Sequence, residues 1–136
     1  MNFSHKLMSN NFEKNDFIRV KKLISQSNPI LTQSKYVREF EQSWSKWLGV
    51  KYSVFVNSGS SANFLTLAVL SQLKKNKNKN EIIVPAFTWI SDLVSIIKNG
   101  FKPIFVDIDK RNLCMDIELV KKKKNKKTLA IFITHA

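Results

Sequence analysis

The chain has 136 residues, of which 43% are hydrophobic, so it is long enough for one domain with a buried core. No apolar stretch approaches the roughly 20 residues of a membrane span, and residues 1–15 are too polar for a signal-peptide core. Cys114 is the only cysteine, which excludes an internal disulfide and a cysteine-rich metal site. We therefore expect a cytoplasmic protein with no membrane segment and no metal.

The net charge of +13 raises nucleic acid as a partner, but its distribution argues against that class. Most of the excess lies in two runs of lysines with no aromatic residues between them for base stacking. These lysines are Lys74, Lys75, Lys77 and Lys79, then Lys121 to Lys124 with Lys126 and Lys127. Both runs fall where predicted helices end. We interpret them as solvated connectors and expect no nucleic-acid partner.

The amino-terminal part is predicted to be an arm, a short helix and a connector over residues 1–34. Residues 1–15 are polar and rich in asparagine. Apolar residues at helical spacing then predict an amphipathic helix over 16–26. Pro29 favours an extended connector after it, because the residue before a proline is disfavoured in the helical region.

An aromatic stripe predicts a second helix over residues 35–48, ended by Gly49. Its apolar residues recur at spacings of three and four. They are Tyr36, Val37, Phe40, Trp44, Trp47 and Leu48. Such a stripe is more often part of a core than a cofactor contact, so we assign no chemistry to its two tryptophans.

A strand, a turn of small residues and a helix are predicted over residues 54–70. The apolar run 54–56 stops at Asn57, and the turn Ser58 to Ser61 leads into an apolar helix. The first amides of a helix lack acceptors and lie at the positive end of its dipole, so phosphate is a natural ligand there. Serine and glycine also begin helices merely as caps, and the turn alone leaves both interpretations open.

Strands and helices alternate through the rest of the chain. Strands are predicted over 81–84, 103–107 and 128–134, and helices over 87–99 and 117–123, the last capped by Asp116. Together with 54–56 this gives four strands of an α/β fold, a mostly parallel sheet with flanking helices.

Ligands of such sheets bind beyond the carboxyl ends of the strands. That edge carries Asn57 to Ser61, Pro85 to Trp89, Asp107 to Asp109 and His135. The sequence stops just after an apolar strand, which would leave a sheet edge unpaired. We therefore expect the chain to be the first part of a longer polypeptide.

Four stretches resemble the DegT/StrS family of pyridoxal-phosphate-dependent sugar aminotransferases, which have fold type I. They are residues 31–70, 81–109, 112–120 and 128–136, and they include VNSGSSANFL, VPAFTWISD and PIFVDID. The resemblance implies that residues 35–136 form an incomplete large domain that binds the cofactor. It implies an amino-terminal fragment of an enzyme acting on a nucleotide-linked keto-sugar in the biosynthesis of cell-surface polysaccharides or deoxyamino sugars.

The resemblance also implies roles for individual residues. Gly59, Ser60 and Ser61 match the turn that binds the cofactor phosphate, and Trp89 matches the aromatic residue that stacks on the pyridine ring. Three further residues match the substrate region: Thr32, Gln33 and His135. Asp107 and Asp109 match a block that shapes a turn, so we expect them to be structural.

No catalytic residue of the family has a counterpart in this chain. The aspartate that pairs with the pyridine nitrogen and the lysine that forms the Schiff base come later, so we expect the chain alone to be inactive. The complete enzyme is implied to be a homodimer that takes a nucleotide sugar and an amino donor. Two alternatives stay open: a sugar 3-dehydrase, which uses pyridoxamine phosphate and has histidine in place of the lysine, and a non-catalytic module that binds a phosphate ligand or a partner.

Overall fold

The computed structural model describes residues 11–73 and 78–134. The chain divides into two compact units, one ending at Phe55 and the other beginning at Val56. The helices are α1 (Lys14–Ile24), α2 (Lys35–Leu48), α3 (Gly59–Gln72), α4 (Ile90–Lys98) and α5 (Ile117–Lys123). The strands are β1 (Glu81–Pro85), β2 (Lys102–Val106) and β3 (Thr128–Ile131). None of the helices in these residues is long and apolar enough to cross a membrane.

The first unit contains α1 and α2. The Ser34 hydroxyl accepts a hydrogen bond from the Tyr36 amide and so caps the first turn of α2. Gly49 ends the same helix in the left-handed region at φ 75°, where a residue without Cβ is favoured. The predicted bounds of α2 are confirmed, because the signals at both of its ends are local.

The aromatic stripe of α2 is not a buried core within this unit, as the sequence had led us to expect. Trp47 is 74% exposed, and the rings instead contact one another. Ring centroids of Phe40 and Trp44 lie 5.9 Å apart, and those of Trp44 and Trp47 lie 4.9 Å apart. Two short helices offer too little surface to bury a whole aromatic face.

The second unit is built on a parallel sheet with strand order β2-β1-β3. Side chains alternate along the central strand β1, all of whose residues are buried. Ile82 and Val84 pack with Leu67 of α3 and Ile96 of α4. The α/β fold with flanking helices is therefore confirmed.

The opposite face of the sheet has its own apolar cluster. Ile83 of β1 packs there with Val106 of β2 and Val120 of α5. Helix α5 begins as predicted, because the Asp116 carboxylate accepts hydrogen bonds from the amides of Glu118 and Leu119. The sheet is thus covered by α3 and α4 on one face and by α5 on the other.

The predicted first strand is wrong: the sheet of the described residues has three strands, and 54–56 is not among them. The Phe55 amide donates to the Glu41 Oε1 atom at 2.8 Å instead of to a neighbouring strand. An apolar run predicts a preference for extended structure, but pairing also needs a partner strand. Strand β1 extends one residue further than the predicted 81–84 and ends at Pro85, which lies beyond the segment paired with β3.

The loop between β2 and α5 is folded by its own carboxylates. The Arg111 guanidinium donates to both oxygens of Asp109, and the Arg111 amide donates to Asp109 Oδ1. These bonds lower the pKa of Asp109 from 3.8 to about 2. Asp107 Oδ1 accepts from the Ile108 amide. Both aspartates therefore act in shaping the turn.

Replacing Gly100 is expected to destabilise the second unit through backbone strain alone. Gly100 follows α4 at φ 79°, and no atom lies within 4 Å of the position where a Cβ would stand. Gly100→Ala should therefore cost about 1 kcal/mol of unfolding free energy, measured by urea denaturation. Gly59→Ala is the matched control, since Gly59 has neither a positive φ nor a close neighbour. An equal loss in both variants would contradict the backbone explanation.

Arg111→Ala should raise the pKa of Asp109 toward 3.8 without fully restoring it, because the backbone hydrogen bond at position 111 remains. A carboxyl NMR titration measures this. The side-chain pair contributes stability above the ordinary carboxyl pKa, and the contribution disappears as the pH falls through about 2. The difference in unfolding free energy between Arg111→Ala and the parent should therefore shrink as the pH falls and disappear below about 2. An unchanged titration of Asp109, or the same rise in Lys110→Ala, would contradict the assignment.

Candidate functional site

The turn before α3 is a helix cap made of small polar residues. The Ser58 hydroxyl accepts from the Ser61 amide at 3.2 Å, and the Ser61 hydroxyl donates to Asn57 Oδ1 at 2.7 Å. The helix begins at Gly59, beside open space where any other residue would carry a Cβ. The turn is thus both a cap and a place where a ligand can approach the backbone at the start of a helix.

Trp89 lies at the N-cap of α4, directly after the loop that leaves β1. Its side chain is 74% exposed and makes no capping hydrogen bond. Helix α4 begins at Ile90, three residues later than predicted, so that Thr88 and Trp89 precede the helix. An exposed indole at this position offers a flat apolar surface beside a helix terminus.

Two of the predicted phosphate residues and Trp89 line one depression of about 410 Å³. Its lining residues are Gly59, Ser60, Asn63, Trp89, Ser91, Asp92, Phe132, Ile133 and Thr134. The amino-terminal ends of α3 and α4 both border it, and each favours negative charge. The depression therefore combines an environment suited to a phosphate with an aromatic surface suited to a flat ring.

Ser61 borders a different depression, of about 530 Å³, which it shares with Ser60. This second depression is lined by residues of α3 and α4 and by the segment before α3, and it does not include Gly59 or Trp89. The hydroxyl and amide of Ser61 are already bonded within the cap. The three predicted phosphate residues therefore do not all face the same space.

Of the three residues predicted for the substrate region, the structure describes Thr32 and Gln33. Thr32 and Gln33 are exposed and lie in the first unit, between α1 and α2. His135 lies outside the described residues.

The depression is also lined by a buried carboxylate, Asp92, which was not predicted from the sequence. Asp92 is 3% exposed and accepts hydrogen bonds from Asn63 Nδ2 at 2.8 Å, Thr134 Oγ1 at 2.7 Å and the Thr88 hydroxyl. The available signal was the lone carboxylate of this helix, four residues after Thr88. Its partners on α3 and after β3 are distant in sequence, so the pattern alone could not identify them.

A family model of the DegT/DnrJ/EryC1/StrS aminotransferase family matches residues 11–136. GDP-4-keto-6-deoxy-D-mannose 3-dehydratase of Yersinia pseudotuberculosis is 35% identical over 127 residues, which are 92% of this chain and 32% of that protein. GDP-perosamine synthase of Vibrio cholerae is 32% identical over 106 residues, 78% of this chain and 28% of that protein.

A solved structure of GDP-4-keto-6-deoxymannose-3-dehydratase with a trapped PLP-glutamate geminal diamine superposes with a TM-score of 0.83. It is 34% identical to this chain, and the match covers 95% of this chain and 33% of that one. The chain thus spans about a third of the length of the relatives that it matches. With its parallel sheet, its small-residue turn before α3 and a match that spans both units, the chain belongs to the DegT/DnrJ/EryC1/StrS aminotransferase family.

Proposed function

We propose that the depression between the starts of α3 and α4 binds the phosphate and ring of pyridoxal phosphate or pyridoxamine phosphate. Gly59 and Ser60 would hold the phosphate through the first turn of α3, with Ser61 supporting the turn from its cap. Trp89 would provide the apolar contact to the ring. The observation that carries this proposal is that Gly59, Ser60 and Trp89 line the same depression.

The fit is chemical as well as spatial. Helix amino termini and hydroxyl groups suit a phosphate, and an exposed indole suits a flat heteroaromatic ring. When bound, such a cofactor supplies an electron sink for breaking bonds next to nitrogen. The residues of this chain bind and orient it. We assign no catalytic residue here, since the lysine and aspartate of the family motif have no counterpart in the chain.

We propose nucleotide-sugar transamination as the activity of the complete protein. The substrate would be a nucleotide-linked keto-sugar, together with an amino donor, and the enzyme would be a cytoplasmic homodimer. The names of the relatives support a nucleotide-sugar substrate, because the dehydratase and the synthase each carry a GDP-linked sugar in their names. Thr32, Gln33 and His135 remain our candidates for the substrate region.

A nucleotide-sugar 3-dehydratase is the second candidate. The relative at 35% identity and the superposed structure at 34% identity are both such enzymes by name. The two chemistries are separated by one position of the family fold beyond Ala136, where the resemblance implies lysine in aminotransferases and histidine in the dehydratase branch. Sequencing the gene past the codon for Ala136 therefore decides between them.

Gly59→Ala should weaken binding of pyridoxamine phosphate without destabilising the fold. The added methyl group meets no protein atom within 4 Å but occupies space at the start of α3. We expect the Kd to rise about fivefold, on the order of 1 kcal/mol, by isothermal titration calorimetry. Pyridoxamine phosphate is the appropriate probe because its amine, unlike an aldehyde, does not react with the many lysines.

Gly100→Ala is the matched control for this measurement. It should lose stability and keep the parent affinity, which is the opposite pattern to Gly59→Ala. Pyridoxamine without its phosphate should bind far more weakly to the parent chain. Equal binding with and without the phosphate, or no binding to the parent chain, would contradict the proposed site.

A further inference from the structure

Asp92 is a buried carboxylate whose hydrogen bonds come from uncharged groups. Asn63 donates to Oδ1, and the hydroxyls of Thr88 and Thr134 donate to Oδ2. No lysine or arginine of the described residues forms an ion pair with it. Burying a carboxylate is costly, and an apolar side chain would fill this part of the core at a lower cost. Packing alone therefore does not explain why the residue at position 92 is an aspartate.

The three donors come from three different segments that meet at the depression. Asn63 lies on α3, three residues after Ser60, and Thr134 lies beyond the end of β3. Thr88 directly precedes Trp89. The oxygens of the two threonine hydroxyls also lie 2.8 Å apart. One carboxylate thus connects the helix of the phosphate turn, the residue before the indole and the segment after the third strand.

The Trp89 carbonyl accepts a hydrogen bond from the Asp92 amide at 3.0 Å, which holds its backbone but not its side chain. Its side chain is largely exposed, and it makes no capping hydrogen bond of its own. Apolar packing of α4 through Leu93 and Ile96 attaches the helix to the sheet but does not define how the chain enters the helix. The hydrogen bond from the Thr88 hydroxyl to Asp92, four residues further along the chain, fixes the backbone where it enters α4.

We propose that Asp92 is a positioning residue of the cofactor site, which fixes Trp89 relative to the phosphate turn through Thr88 and Asn63. This inference rests on the proposed function. Asp92 holds the two halves of the depression at one separation, so that a molecule with a phosphate and a ring contacts both at once.

The test compares binding of pyridoxamine phosphate by variants of the 136-residue chain. Asp92→Ala leaves three polar groups without their shared acceptor, and its Kd should rise about tenfold. Thr88→Val removes the hydrogen bond to Asp92 beside Trp89, together with the contact between the two threonine hydroxyls, and should weaken binding several-fold. Circular dichroism of the bound pyridine ring gives a second readout, and its signal should fall in both variants because the ring is held less rigidly.

Two further variants separate positioning from stability. Asp92→Asn keeps an acceptor for Asn63 and can donate its amide to a threonine hydroxyl, so it should recover most of the affinity. Ile96→Val weakens the core on the same helix, away from the depression, and should leave the Kd and the ring signal unchanged at temperatures where all variants are folded.

The outcomes separate the two proposals. If the parent chain does not bind pyridoxamine phosphate, the proposed function fails and the role of Asp92 fails with it. If the parent binds and Asp92→Ala and Thr88→Val bind equally well, the positioning role alone is wrong. An equal loss in Ile96→Val would also overturn it, since general destabilisation would then explain the effect. If Asp92→Ala does not melt cooperatively, Thr88→Val decides the question.

Discussion

Strand β1 is the constraint on which the second unit depends. It pairs in parallel with β2 on one side and β3 on the other, and its residues are buried on both faces. A strand in this position needs helices on both sides, and the two apolar clusters supply them. The chain leaves β1 at Pro85 and enters α4 a few residues later, so the position of Trp89 follows from the position of this strand.

The same arrangement concentrates polar groups at one edge of the sheet. The carboxyl ends of parallel strands meet there, together with the amino termini of the helices that follow. In this chain the edge holds the cap before α3, the entry to α4 and the segment after β3. Asp92 lines the same depression and accepts hydrogen bonds from Asn63 of α3, from Thr88 before α4 and from Thr134 after β3. The buried carboxylate thus links the elements that form the proposed site, since each of its hydrogen-bond donors belongs to a segment that borders the depression.

The fold class and the ends of two helices were predictable from the sequence, whereas individual long-range contacts were not. Helices α2 and α5 have their predicted bounds because periodicity, Gly49 and Asp116 act within a few residues. The prediction that 54–56 forms a strand was wrong, because a strand needs a partner strand. The Phe55 amide donates to the Glu41 carboxylate instead. The Asp92 contacts were missed for the same reason. Its partners Asn63 and Thr134 lie 29 and 42 residues away.

Amide NMR spectra of the chain titrated with pyridoxamine phosphate test the central claim most directly. We predict that the amide signals of Gly59 and Ser60 and the indole signal of Trp89 shift together and saturate at one ligand concentration. The signals around Asp109, in the separate turn after β2, should stay in place. Shifts confined to the lysine-rich segment 121–127 would instead indicate unspecific attraction of the phosphate to positive charge and would contradict a cofactor site at the start of α3.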